Sequence, residues 1–151
     1  MASNTSTPTP EQEFQTLQHY MNEFTQQIEL FSQQFQFVEQ ARVEIIASIE
    51  TLRGLKDTKN AVSLLPVGGG AAILAQVIDP DSVLISIGSD ISIRKSNDEA
   101  VSYLTERITE MEAQGKRLAE TIQKLQTQAA EVGRRLEQLY QAGQGQPTGR
   151  S

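Results

Sequence analysis

Residues 61–95 read AVSLLPVGGGAAILAQVIDPDSVLISIGSDISIRK, and their apolar residues recur with a period of two. Residues 62–67 read as a strand, Gly68-Gly69-Gly70 as a turn, and 71–78 as a second strand. Asp79-Pro80-Asp81-Ser82 closes that strand, with Pro80 suited to position i+1 of a type I turn. Residues 83–87 and 91–95 alternate around Gly88-Ser89-Asp90, setting Val83, Ile85, Ile87, Ile91 and Ile93 against Leu84, Ser86, Ser92 and Arg94. The stretch is therefore two β-hairpins in succession. Four short strands with an apolar face and open edges are marginal alone. Pairing with β segments of other subunits through Val62, Leu64, Val67, Ile73, Val77, Val83, Ile85, Ile87, Ile91 and Ile93 is the simplest remedy. The sequence thus predicts an oligomer.

On the N-terminal side, Thr9-Pro10-Glu11-Gln12 opens a helix: Thr9 is the N-cap, Pro10 fits the first helical position, and Gln12 completes a capping box. Apolar residues then recur at alternating steps of three and four: Phe14, Leu17, Met21, Phe24, Ile28, Phe31, Phe35, Val38, Ile45, Ile49 and Leu52. Only Arg42 breaks the series. On the C-terminal side, Ser96-Asn97-Asp98-Glu99 is a second capping box. The same spacing resumes at Val101, Leu104, Ile108 and Met111, and continues through Leu118, Ile122, Leu125, Ala129, Val132, Leu136 and Leu139. Gly115 is the one gap and Gly143 the natural stop. A mean repeat of about 3.5 residues is the coiled-coil signature. Residues 11–56 and 97–142 make arms of equal length, about 70 Å each at a helical rise of ~1.5 Å per residue. Equal arms are what a hairpin folding back on itself needs.

The expected fold is α+β: a long antiparallel two-helix coiled-coil hairpin with two β-hairpins inserted between the helices. Its layout is a leader over 1–8, helix 1 over 9–57, the β platform over 58–95, helix 2 over 96–142 and a tail over 143–151. The two interruptions fall at nearly the same level, which either pairs Gly115 with the stem of Arg42 as a steric accommodation or leaves two independent weak spots in the seam.

Composition narrows the function. There are no cysteines in the 151 residues, which excludes disulfides, zinc–thiolate sites and thiol catalysis. The net charge of −6 argues against nucleic acid as a partner. No run approaches the roughly 18 apolar residues of a membrane span, and the Ser/Thr/Pro-rich start lacks the apolar core of a signal peptide. A soluble, cytoplasmic protein is the expectation.

No constellation supports catalysis, so the chain is expected not to be an enzyme and to need no metal or cofactor. The triple glycine has no following Lys-Ser/Thr and opens no helix, so it is a turn and not a phosphate loop. Asp79 and Asp81 lack the other ligands of a calcium loop and read as a solvated turn. His19, the only histidine, falls on the outer face of helix 1. More informative are Phe14, Leu17, Met21 and Phe24, which face Val132, Leu136, Leu139 and Tyr140 at the end where the two arms finish. Apolar residues at a fraying end, Met included, make a pliable surface suited to varied partners.

These residues resemble a family, the alpha-type subunits of prefoldin, from about residue 11 to residue 141. The most specific part is 65–71 (LPVGGGA), 83–88 (VLISIG), 91–96 (ISIRKS) and Glu99-Ala100. The resemblance implies a hexamer with prefoldin beta subunits, two alpha and four beta, built on a central β barrel platform. It implies that unfolded client proteins are held at the coiled-coil tips without ATP and passed to a group II chaperonin. Carried onto this chain, the client surface falls on Phe14, Leu17, Met21 and Phe24 and on Val132, Leu136, Leu139 and Tyr140. A coiled-coil spacer or tether without client binding is the alternative, but it leaves the two hairpins without a purpose.

Overall fold

The structure, a computed structural model, describes residues 7–144. It contains α1 (Pro10–Asp57), β1 (Val62–Gly68), β2 (Ala71–Gln76), β3 (Val83–Gly88), β4 (Ile91–Lys95) and α2 (Asn97–Gln144). The fold is α+β, two long helices with two antiparallel β-hairpins between them. Apart from residues 7, 8, 143 and 144, the expected leader and tail lie outside the described residues.

Both helix starts are set by local chemistry. At α1 the Thr9 amide donates to Gln12 Oε1 and the Gln12 amide donates to Thr9 Oγ1, each at 3.2 Å. At α2 the Ser96 amide donates to Glu99 Oε2 at 3.3 Å and the Glu99 amide to Ser96 Oγ at 3.2 Å. Two orphan donors are satisfied at each end. Gly143 does not stop α2, which runs on to Gln144.

Contacts divide the chain into two compact units, residues 38–114 and residues 1–37 with 115–151. They are called here the hairpin unit and the terminal unit. In the terminal unit the helices run antiparallel, because Glu13 meets Arg135 and the Met21 Cε methyl lies over Gly133, while Phe35 faces Gly115. In the hairpin unit the same sense follows from Arg42 meeting Glu112 and Lys56 meeting Asp98.

These contacts correct the expected pairing of Gly115 with Arg42. A Cβ built on Gly115 would meet only Phe35 Cε2, at 3.8 Å, an ordinary van der Waals distance. The glycine therefore reserves no space for an arginine stem. Arg42 is held by Glu39 at 2.9 Å and Glu112 at 3.9 Å, which raise its guanidinium above the ordinary value, Glu39 foremost.

Each β-hairpin forms its own two-stranded sheet. Both turns have one backbone design. Gly68 and Gly88 each adopt φ 102°, a value that side chains rarely tolerate, and the register shifts beside each. The next two residues are also left-handed, Gly69-Gly70 in one hairpin and Ser89-Asp90 in the other. Such turns match the right-handed strand twist. β2 ends at Gln76, two residues short of the expectation. The Val77 amide turns back to the Ala61 carbonyl at 2.9 Å, and Ile78 is left exposed.

Candidate functional site

In the hairpin unit the two hairpins have different fates. In β3, Ile85 is only 7% exposed and Val83 is half-buried, and both line a groove of about 510 Å³ shared with Ala47, Ser48, Thr51 and Leu52 of α1 and with Leu104 and Arg107 of α2. The outward face of this hairpin carries Leu84 opposite Arg94 and Ser86 opposite Ser92. The first hairpin has no buried residue. Its register puts Leu64 against Leu74 on one face and Leu65 against Ile73 on the other. All four are more than half exposed, Leu64 and Leu74 at 66% and 74%. No charged side chain occurs from Asn60 to Ile78. A charge-free hairpin, apolar on both faces and uncovered by the other described residues, has the composition of an interface core.

Of the residues expected to carry assembly, Val62, Leu64, Val67, Ile73, Ile87, Ile91 and Ile93 are exposed. Val77 and Val83 are half-buried, and Ile85 is used in the chain's own core. Leu65 and Leu74 belong with the exposed set. A reading that gives each strand one apolar face passes over half of a two-faced hairpin. Its signal in the sequence was the absence of charge.

A buried joint sets the orientation of this platform. Asn97, 1% exposed, donates through Nδ2 to the Leu52 carbonyl of α1 at 2.8 Å and to the Pro80 carbonyl at 3.0 Å. Its own amide donates to Asp81 Oδ1 at 3.0 Å, so Asp81 is part of the joint and not a merely solvated turn residue. The Asp79 carboxylate in turn accepts the Asp81 amide at 3.0 Å. Beside the joint, Lys56 donates to Asp98 at 2.6 Å, which raises the lysine above its ordinary value. One side chain thus ties α1, the turn after β2 and the start of α2.

The terminal unit brings together the residues expected to meet a client. Phe14, Leu17, Met21 and Phe24 of α1 and Val132, Leu136 and Leu139 of α2 are half-buried, and Tyr140 is exposed. Half-burial is the geometry of a two-helix seam, where each side chain is covered by one partner helix and left open on a flank. Full burial of a Leu or Phe contributes about 1.5–3 kcal/mol, so half-burial contributes on the order of 1 kcal/mol per residue. At Gly133 a Cβ would stand only 3.1 Å from Met21 Cε, so the methionine tip fills the space above the glycine. A bidentate ion pair spans the seam: Arg135 Nε and Nη2 donate to the Glu13 carboxylate at 2.8 and 3.2 Å. The arginine holds the Glu13 carboxyl below its ordinary value, and its own guanidinium is raised in return.

Charge is partitioned along the seam. Residues 10–37 carry four Glu and neither Lys nor Arg, whereas 115–144 carry five Lys and Arg against three Glu. His19 is exposed beside Glu23 at 3.2 Å. Among the described residues no cluster of His, Asp and Glu is placed to hold a metal ion, and no helix is long and apolar enough to cross a membrane.

Comparison with known proteins adds a family to this geometry. A family model described as "Prefoldin subunit" matches residues 24–142. The prefoldin subunit alpha of Methanoculleus marisnigri is 49% identical, covering 88% of this chain and 93% of its own. That of Methanospirillum hungatei is 46% identical, covering 94% and 95% respectively. Among solved structures, a chain of the filamentous PFD of Methanocaldococcus jannaschii, determined by cryo-EM, is similar in fold. Its TM-score is 0.67 at 23% identity, covering 76% of this chain and 95% of that one.

Proposed function

We propose that this chain, which belongs to the prefoldin family and within it to the alpha subunits, is part of an ATP-independent cytoplasmic chaperone. It assembles through its hairpins with beta-type subunits, as a hexamer of two alpha and four beta. It holds unfolded polypeptides on the seam of the terminal unit and delivers them to a group II chaperonin. The observation that carries the client reading is the half-open apolar strip of Phe14, Leu17, Met21 and Phe24 against Val132, Leu136 and Leu139, with Tyr140 exposed beside it. Flexible and aromatic side chains open on one flank accept partners of many shapes. The two-faced, charge-free hairpin supports the assembly reading.

A tethering subunit without client binding is the second reading. It is favoured by one observation, that all the seam residues named except Tyr140 are already half-buried within the chain. The two readings separate in an aggregation assay without nucleotide, with the chain co-assembled with a beta-type partner and a denatured model protein. Chaperone function predicts suppression by the parent complex. That suppression should fall several-fold when Met21, Phe24, Leu136 and Leu139 become serine in a complex of unchanged mass. Suppression that is absent, or indifferent to those changes, would favour the tether.

A further inference from the structure

We propose that the Glu13–Arg135 ion pair is a clamp that sets how readily the terminal seam opens to a client; this rests on the client-binding reading above. The clamp joins the two helices at the level of the apolar strip, with Arg135 gripping both oxygens of Glu13 and reaching Gln138 Oε1 at 3.4 Å. Among the described residues of the terminal unit it is the one ion pair that links α1 to α2. The partition of charge fixes its sense, since α1 has no Lys or Arg from Pro10 to Phe37 and so any ion pair across the seam sets an α1 carboxylate against an α2 cation.

What the clamp holds shut is weakly held otherwise. Phe14, Leu17, Leu136 and Leu139 are each only half-buried, so separating the helices there forfeits part of a hydrophobic contact that a client's apolar side chains can restore. Gly133, two residues before Arg135, is a poor helix former inside α2. It packs against the flexible end of Met21 and not against a branched side chain that would lock the approach. A client must displace one helix from the other to cover both sides of the strip. The seam and the client therefore compete for the same apolar surface, and the ion pair weights the competition toward the seam.

An exposed ion pair changes such an equilibrium by a factor of up to about five, and salt screens it. The test uses the chain co-assembled with a beta-type subunit and a reduced, alkylated, fluorescent polypeptide that cannot fold. Affinity is read by anisotropy, and opening by amide hydrogen exchange over residues 12–20 and 132–142. Glu13→Gln and Arg135→Gln should each tighten binding about two- to five-fold and speed exchange in both segments. The reversed pair, Glu13→Arg with Arg135→Glu, should return both readouts to the parent values. Faster exchange with unchanged or weaker binding overturns the clamp, as does exchange that does not change. A parent complex that fails to bind the polypeptide at all would instead remove the client-binding reading, and the clamp with it.

Discussion

Asn97→Asp is expected to destabilise the assembled protein by about 3 kcal/mol or more, seen as a lower urea midpoint followed by helical circular dichroism. The substitution is nearly isosteric, so volume is not the cause. At this position Nδ2 donates to two carbonyl oxygens, of Leu52 and Pro80, in a site only 1% exposed. A carboxylate would turn a lone pair or a negative charge toward both, while the neighbouring Asp81 carboxylate accepts the backbone amide of the same residue. Burying an unpaired carboxylate beside acceptors costs several kcal/mol, whether it stays charged or takes up a proton. Asn97 Oδ1 is also buried without a hydrogen-bond partner, so the native site already tolerates one unmet acceptor and has no donor to offer another. A midpoint within 1 kcal/mol of the parent would show that the joint contributes little.

Leu64→Asp should do the opposite, leaving the chain's own fold intact and abolishing assembly. Leu64 and its cross-strand neighbour Leu74 are exposed in the chain, so the substitution removes little intrachain packing and should move intrachain stability by no more than about 0.5 kcal/mol. The first hairpin offers the new carboxylate no cation of its own, because residues 60–78 carry no charge. An unpaired charge there weakens association by at least about a hundred-fold. Leu65→Asp, on the opposite face, should have an effect of the same size if both faces are covered. Leu84→Asp should be milder, since Arg94 stands opposite it across the hairpin. Native mass measurement of the co-assembled subunits reads all three. A Leu64→Asp chain that assembles like the parent would rule out the first hairpin as an interface core.

The parts of this molecule that were legible in the sequence are those where chemistry repeats locally. Side-chain direction turns a period of two into a strand and a 3–4 spacing into a helical seam, so the element order followed directly. The two capping boxes were equally legible, because donor and acceptor lie within three residues of each other. The joint at Asn97 was not. In the sequence it is simply the second residue of a capping box, and its partners lie 16, 17 and 45 residues away. Two of those partners are backbone carbonyls, which leave no residue-type signature.

Register was the weaker inference. Counting from the arm ends paired Arg42 with Gly115, whereas the contacts pair Arg42 with Glu112 and Gly115 with Phe35. A shift of three residues, within one helical turn, is enough to exchange neighbours. Ile85 and Leu64 show a different limit: both sit in short apolar strands, yet among the described residues one is buried beside α1 and α2 and the other is left exposed. A pattern names the face and leaves open what packs on it. The clamp, by contrast, had a readable trace, since the first arm carries only acidic charge up to Arg42 and the second ends with Arg134-Arg135.

The central claim is that clients are held on the terminal unit while the hairpin unit serves assembly. Three tyrosines supply a direct test with little perturbation, because each can be replaced by a photoreactive phenylalanine derivative. Tyr20 and Tyr140 are exposed in the terminal unit, while Tyr103 belongs to the hairpin unit, where Val43 offers an exposed control. The measurement is crosslinking of a denatured, labelled client to the assembled complex at each of these four positions. The account predicts strong crosslinks from Tyr140 and Tyr20 and background levels from Tyr103 and Val43. Equal labelling at all four, or labelling at Val43 and Tyr103 alone, would contradict it.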